Sequence, residues 1–356
     1  MPDASQVSAF LQTQGPLIDV RTPAEYGRGH IPGAVNLPLF SDGERAEVGT
    51  LYKQIGREAA VRRGLALVAP RLASLADALL EARAAHPNAP LRLHCWRGGL
   101  RSSSLAWLAS TLALPTQVLE GGYKAYRQWV LALMEHPWPL RLLGGRTGTG
   151  TTALLRALER RGVAVIDLED LAGHRGSSFG ALGLPPQPSG EQFENRLAAA
   201  LLRQAHANAI WLEAESAQVG VCRIPSALWR QMNAAPMLEV RRPLQERLRH
   251  LVAIYGPHDR EALVAATQRI AKRLGPQRTA AAVAAIRAGQ METACAHMLE
   301  YYDRCYDRAS AAHPGTTVDL DQLDPEASAD WLLGQGLLQP APEPHPPPRG
   351  TAEGER

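Results

Sequence analysis

Apolar runs of three to five residues alternate with longer stretches of helical period along most of the chain, the pattern that parallel α/β folds produce. In the first part, residues 16–20, Ala34-Val35-Asn36-Leu37-Pro38, Leu91-Arg92-Leu93 and Gln117-Val118-Leu119 predict strands. Between them, helices are predicted over 6–14, behind Thr22 with Pro23 in the first turn, and over 70–85, where Leu72, Leu75, Leu79 and Leu80 share a face. Residues 44–68 form a polar, helix-prone insertion in which Tyr52-Lys53-Gln54-Ile55-Gly56 predicts an exposed turn. Two more helices are predicted over 102–112 and 123–134. His136-Pro137-Trp138-Pro139 then places two prolines in three residues, which predicts a domain boundary.

Beyond it, Leu140-Arg141-Leu142-Leu143, Val163-Ala164-Val165-Ile166-Asp167, Ala209-Ile210-Trp211-Leu212-Glu213 and Pro236-Met237-Leu238-Glu239-Val240 predict strands of a second parallel sheet. The chain from Arg241 onward reads as mainly helical. The predicted organisation is a first domain over 6–135, a second over 139–335, and a disordered tail over 339–356 that contains Pro340, Pro342, Pro344 and Pro346-Pro347-Pro348.

With 356 residues the chain can build two separate cores, and 45% hydrophobic with 21% charged residues is an ordinary globular composition. The net charge of +3 says little about partners, but its distribution says more. Ten Lys/Arg against three Asp/Glu lie between Arg241 and Arg287, so the remainder of the chain is net acidic. Cys95, Cys222, Cys295 and Cys305 show neither C-x-x-C nor Cys/His metal spacing, which argues against disulfides and zinc. No apolar run approaches the roughly 20 residues of a membrane span, and Met1-Pro2-Asp3-Ala4-Ser5 does not open a signal peptide. The expected location is cytoplasmic, with no membrane partner.

The candidate chemistry begins at His94-Cys95-Trp96-Arg97-Gly98-Gly99-Leu100-Arg101-Ser102. A cysteine at a strand end, followed by a glycine-containing loop and a helix start, receives backbone N–H groups and partial positive charge. Arg97 and Arg101 add full charges, so Cys95 is the predicted nucleophile. A buried structural cysteine is the alternative. Asp19 and Arg21, at the end of another strand, complete the predicted catalytic set of Cys95, Arg97, Arg101, Asp19 and Arg21, where they brace the loop.

A second loop, Gly144-Gly145-Arg146-Thr147-Gly148-Thr149-Gly150-Thr151-Thr152, lies between a strand and a helix and has the Walker A spacing. Its lysine is replaced by Thr151, which removes a point charge from a phosphate site; Arg146 can supply one from within the loop. Asp167, Asp170 and Glu213 lie at or past strand ends, where acidic side chains can hold Mg2+ or a water, or cap helices. The loop His174-Arg175-Gly176-Ser177-Ser178-Phe179-Gly180 suits anion or nucleic-acid contact, and Arg269, Lys272 and Arg273 are the predicted core of a basic RNA-binding face. Tyr301, Tyr302 and Tyr306 could stack on bases or close the core.

Leu17-Ile18-Asp19-Val20-Arg21, Glu25-Tyr26 and His30-Ile31-Pro32-Gly33-Ala34 resemble the opening of the rhodanese family. The five residues between Cys95 and Arg101 resemble the wider loop of rhodanese-like phosphatases, which leaves sulfur transfer, selenium transfer and phosphate-ester hydrolysis open. With Gly121-Gly122-Tyr123-Lys124-Ala125-Tyr126-Arg127, the stretch from Asp167 to Gly180, and Trp211-Leu212-Glu213-Ala214-Glu215-Ser216, the chain resembles the tRNA 2-selenouridine synthase family. That resemblance implies a rhodanese-like domain followed by a P-loop NTPase-like α/β domain with a helical C-terminal part. It implies exchange of sulfur for selenium in the wobble 2-thiouridine of tRNA, through an S-geranyl intermediate. Selenophosphate and geranyl diphosphate would be co-substrates, with no tightly bound cofactor, no dedicated metal ligands and room for Mg2+; an enzyme that supplies selenophosphate would be a partner. Cys95 would carry selenium as a perselenide. Trp96, Gly98, Gly99 and Ser102 would complete the selenophosphate loop, and Gly145, Arg146, Thr147, Gly148, Thr149, Gly150, Thr151 and Thr152 would hold a diphosphate. His174, Arg175, Arg269, Lys272 and Arg273 would meet tRNA. The alternative is a rhodanese-type sulfurtransferase or phosphatase acting on a small molecule.

Overall fold

The computed structural model describes residues 4–310, 315–321 and 324–338. The predicted tail over 339–356 lies outside them. The chain divides into two compact units, one of residues 1–136 with 188–199, the other of 137–187 with 200–356.

The first unit runs α1 (Ala4–Gln12), β1 (Leu17–Asp19), α2 (Pro23–Arg28), β2 (Val35–Asn36), α3 (Asp42–Gln54), α4 (Arg57–Val68), α5 (Leu72–Ala84), β3 (Leu91–His94), α6 (Leu100–Thr111), β4 (Thr116–Val118) and α7 (Gly122–Glu135). Its four strands form a parallel sheet in the order β2-β1-β3-β4, with Asp19 of β1 opposite His94 of β3. Leu79, Leu91 and Leu93 are fully buried at its centre. At about 1.5–3 kcal/mol for each large apolar side chain, this core holds the strand ends in place. Thr22 caps α2 with a reciprocal Glu25 contact, as its spacing predicts. The insertion is a helix pair, α3 and α4, and the predicted exposed turn reduces to Ile55-Gly56 between them.

The second unit runs β5 (Leu140–Gly144), α8 (Thr151–Arg160), β6 (Val165–Ile166), α9 (Leu168–Ala172), then α10 (Gly190–Arg203), whose residues 190–199 belong to the first unit. It continues with β7 (Ile210–Glu213), the hairpin β8 (Gln218–Val219) and β9 (Cys222–Arg223), α11 (Ser226–Ala234) and β10 (Met237–Arg241). Five helices follow, α12 (Leu244–Tyr255), α13 (Arg260–Arg269), α14 (Ala271–Leu274), α15 (Pro276–Arg287) and α16 (Met291–Ser310), and then β11 (Gly315–Asp319) and α17 (Pro325–Gly334). The sheet order is β11-β10-β5-β7-β6, all parallel, so the loop after β5 opens from the central strand. Leu154, Leu155 and Leu158 of α8 are buried against this sheet with Leu143. The predicted helical stretch after Arg241 is present, but β11 joins the sheet from beyond it; pairing along β10 overrides the mainly helical reading there.

Candidate active site

Cys95 follows the last residue of β3 and lies beneath the first turn of α6. Its Sγ is 3.2 Å from Ser102 Oγ. Burial of the thiol opposes ionisation. The Ser102 hydroxyl and the backbone N–H groups of Ser102, Arg97 and Gly99 stabilise the thiolate and outweigh it, so the pKa falls below the ordinary cysteine value. The loop keeps these N–H groups turned inward because α7 takes its carbonyls: Tyr123 N donates to Cys95 O at 2.8 Å and Lys124 N to Trp96 O at 2.9 Å. Two glycines make this approach feasible. Gly98 has φ +64°, and a side chain at Gly122, φ +60°, would stand 2.4 Å from Cys95 O. The Gly121-Gly122-Tyr123 motif is therefore the outer wall of the cysteine loop.

Asp19 and Arg21 are fully buried side chains that meet each other. Arg21 Nη2 is 2.6 Å from Asp19 Oδ2, donates to Gly29 O at 2.7 Å, and the guanidinium covers the Tyr123 ring at 3.6 Å. Both are sealed from solvent, so this geometry fits the bracing role expected of them and not direct contact with a substrate. His94, also fully buried, has its pKa lowered to about 4 by desolvation and stays neutral. Arg97 is exposed at the loop rim. Arg101 is held by Glu25, with Nη1 2.6 Å from Oε2 and Nη2 3.3 Å from Oε1, so its charge is balanced in place. In the sequence Glu25 was legible only as part of the rhodanese-like motif, not as the partner of Arg101.

The first unit also takes side chains from α10. Tyr123 Oη donates to Glu191 Oε1 at 2.9 Å and accepts from Asn195 Nδ2 at 2.8 Å, while His30 N donates to Gln192 Oε1 at 2.7 Å. The periodicity of α10 carries no signal of these contacts.

In the second unit the glycine-rich loop joins β5 to α8 as expected. Arg146 does not offer its charge to the loop interior: its Nε and Nη2 bond Asp307 at 2.9 Å each. Instead two other guanidinium groups grip the loop's outward carbonyls, Arg242 Nε on Thr149 O and Arg247 Nε on Thr147 O, both at 2.9 Å. Arg247 is balanced by Asp303. Arg242 has no carboxylate in ion-pair contact among the described residues, and so adds a net positive charge beside the loop that lacks a lysine. Thr152 Oγ1 donates to Glu169 Oε2 at 2.9 Å. Burial first, and the neighbouring Glu215 carboxylate second, push the Glu169 pKa up to about 8. Asp167 pairs with Arg156 at 2.7 Å and caps α9, and Glu213 accepts from Leu168 N at 3.0 Å. Among the described residues no group of three His, Cys, Asp or Glu side chains is arranged to hold a metal ion.

Of the residues predicted to meet RNA, Arg269, Lys272 and Arg273 are exposed, and Arg269 Nη2 reaches Ser178 O of the 174–180 loop at 3.3 Å. His174 is corrected: it is 8% exposed, its ring lies against Gly180, and burial lowers its pKa, so it shapes the loop from within. Arg175 is half-buried and donates to Leu182 O at 2.8 Å. Tyr301 and Tyr302 pack against the helical core, which favours core closure over base stacking there.

Comparison with known proteins matches both parts of the chain. Residues 3–128 match a family model described as a rhodanese-like domain, and 138–333 match one described as the tRNA 2-selenouridine synthase AAA domain. A tRNA 2-selenouridine synthase of Bordetella bronchiseptica is 37% identical over 380 residues, covering 95% of this chain and 99% of the relative. Those of Marinobacter nauticus and Shewanella denitrificans are 36% and 40% identical, covering 78% and 72% of this chain and 80% and 69% of the relatives. With a thiolate loop of rhodanese type, a glycine-rich loop without its lysine, and relatives that span both, the chain belongs to the tRNA 2-selenouridine synthase family.

Proposed function

We propose that this protein converts the wobble 2-thiouridine of tRNA to 2-selenouridine, with Cys95 as the nucleophile toward selenophosphate and geranyl diphosphate as the alkyl donor. The thiolate-favouring environment of Cys95 is the observation that carries this reading. In the first step the thiocarbonyl sulfur attacks the allylic carbon of geranyl diphosphate, diphosphate leaves, and the base loses its N3 proton. The S-geranyl group is a far better leaving group than a thiocarbonyl sulfur. In the second step hydrogen selenide attacks the base carbon that bears the sulfur, geranylthiolate leaves, and the selenocarbonyl forms with the proton returned to N3. Loop N–H groups hold the oxyanions of selenophosphate.

Electron counting bears on the role of Cys95. Selenium is already at the selenide level in selenophosphate, so a perselenide on Cys95 would require a two-electron oxidant. The balanced route is attack of the Cys95 thiolate on phosphorus, with selenide leaving and water later releasing phosphate from sulfur. The glycine-rich loop is the proposed diphosphate site, with Arg242 adding positive charge beside it.

The test is nucleoside mass spectrometry on thiolated tRNA incubated with the protein and selenophosphate, with and without geranyl diphosphate, beside a Cys95→Ser control. Selenouridine that needs both donors and Cys95 is expected. Absence of any modified nucleoside would overturn the tRNA reading and favour a small-molecule substrate. Peptide mass analysis of Cys95 during turnover distinguishes a phosphoryl adduct from a selenium adduct.

A further inference from the structure

An apolar groove of about 780 Å³ lies in the first unit, between the α3–α4 pair and α6. Its wall includes Tyr52, Leu65, Leu100 and Trp107, which are 52–66% exposed. Large aromatic and aliphatic side chains gathered in one concave surface mark a binding site more often than a solvated face. The groove and the thiol site share one helix. Ser102 of α6 touches Cys95 Sγ, while Arg101, Ser104 and Leu108 of the same helix line the groove.

The charges at the groove narrow the occupant. Arg45 and Arg101 are its only charged lining residues, and both are cationic. Glu25 balances Arg101, whereas Arg45 has no ion pair among the described residues. An apolar trough with an unbalanced cation beside it fits a hydrocarbon chain attached to an anionic head, and fits a charged peptide or bare RNA poorly. A small apolar cavity of the second unit, lined in part by Thr147 and Phe179, is about 30 Å³, room for about one water and not for an isoprenoid.

We propose that this groove binds the isoprenoid chain of an S-prenylated nucleoside in RNA and so presents its thioether to the Cys95 site. The inference rests on the reaction proposed above. It makes chain length a determinant of affinity: each methylene moved out of water multiplies affinity by roughly three to four.

The experiment measures affinity of the full-length protein, without selenium donor, for anticodon stem-loops carrying 2-thiouridine, its S-methyl derivative or its S-geranyl derivative. Two variants are compared. Gly49→Phe fills the groove, and there an added Cβ meets nothing nearer than Arg45 Nη1 at 3.6 Å; Leu65→Gln removes exposed apolar wall, so it keeps the test alive if the first variant folds poorly. The wild type is expected to bind the geranyl RNA at least tenfold more tightly than the methyl RNA. Gly49→Phe should abolish that preference and Leu65→Gln should reduce it severalfold, with affinity for the thiouridine RNA unchanged. Equal wild-type affinity for geranyl and methyl RNA, or a preference that survives both variants, would overturn the proposal. So would equal weakening toward all three RNAs, which would mark the groove as a surface for RNA itself. Because no donor is present, this affinity does not depend on turnover: a chain preference here, with no selenouridine formed in the assay that contains both donors, would sink the proposed reaction and leave the groove standing.

Discussion

Burial acts in the same direction on Cys95 and on Glu169, disfavouring the charged form, yet the two groups end on opposite sides of their ordinary values. Cys95 has a hydroxyl and three backbone N–H groups directed at its sulfur, and these stabilise the anion by more than desolvation costs it. Glu169 has one hydroxyl, from Thr152, and faces the like charge of Glu215. A pH dependence follows from the raised carboxyl. Folded Glu169 holds its proton to about pH 8, whereas the unfolded carboxyl releases it near 4.5. The folded state therefore binds more protons across that window, and its stability falls as pH rises through it. Glu169→Gln should flatten this slope in the melting temperature of the protein between about pH 5 and 8. An identical slope in the variant would place the proton elsewhere.

At the scale of elements, the thiol site depends on three strand or helix ends meeting. β3 delivers Cys95, the first turn of α6 delivers Ser102, and the start of α7 caps the loop's carbonyls. β1 adds the buried Asp19–Arg21 pair that ties the sheet end to Gly29 and Tyr123. Removing one member of a buried pair leaves an uncompensated charge, so Arg21→Met should cost about 3–5 kcal/mol in urea unfolding. Asp19→Asn combined with Arg21→Met should recover part of that loss, since neither charge then remains buried. If the single variant unfolds at the wild-type midpoint, the pair is not a brace.

Across the whole molecule, the arginines between Arg241 and Arg287 are less available than their number implies. Arg247, Arg249, Arg278 and Arg287 are engaged by Asp303, Glu246, Glu300 and Glu261. Arg269, Lys272 and Arg273 stay exposed and outside any ion pair among the described residues. Charge reversal at these three should weaken tRNA binding uniformly across sequences. It should also lower the slope of log affinity against log salt by about 2–3, as expected for the loss of three phosphate contacts. A filter-binding series in which the slope is unchanged would show that RNA does not use this face.

What could be read along the chain was whatever depends on neighbours in sequence. The strand–loop–helix around Cys95, the cap at Thr22, the glycine-rich loop after β5 and the absence of its lysine are all set within about ten residues, where spacing and backbone geometry decide the outcome. The fold class was legible for the same reason, since alternating buried strands and helices leave few other ways to cover both faces of a sheet. The tertiary structure alone decided which charges are free. Arg101 meets Glu25 across 76 positions, Arg146 meets Asp307 across 161, and Tyr123 meets Asn195 across 72. It also buried His174, sent residues 188–199 to the first unit, and added β11 to a sheet begun at β5. A periodic pattern records how one element faces a core. It carries no information about which distant side chain meets another, because that choice is made by packing after the elements exist.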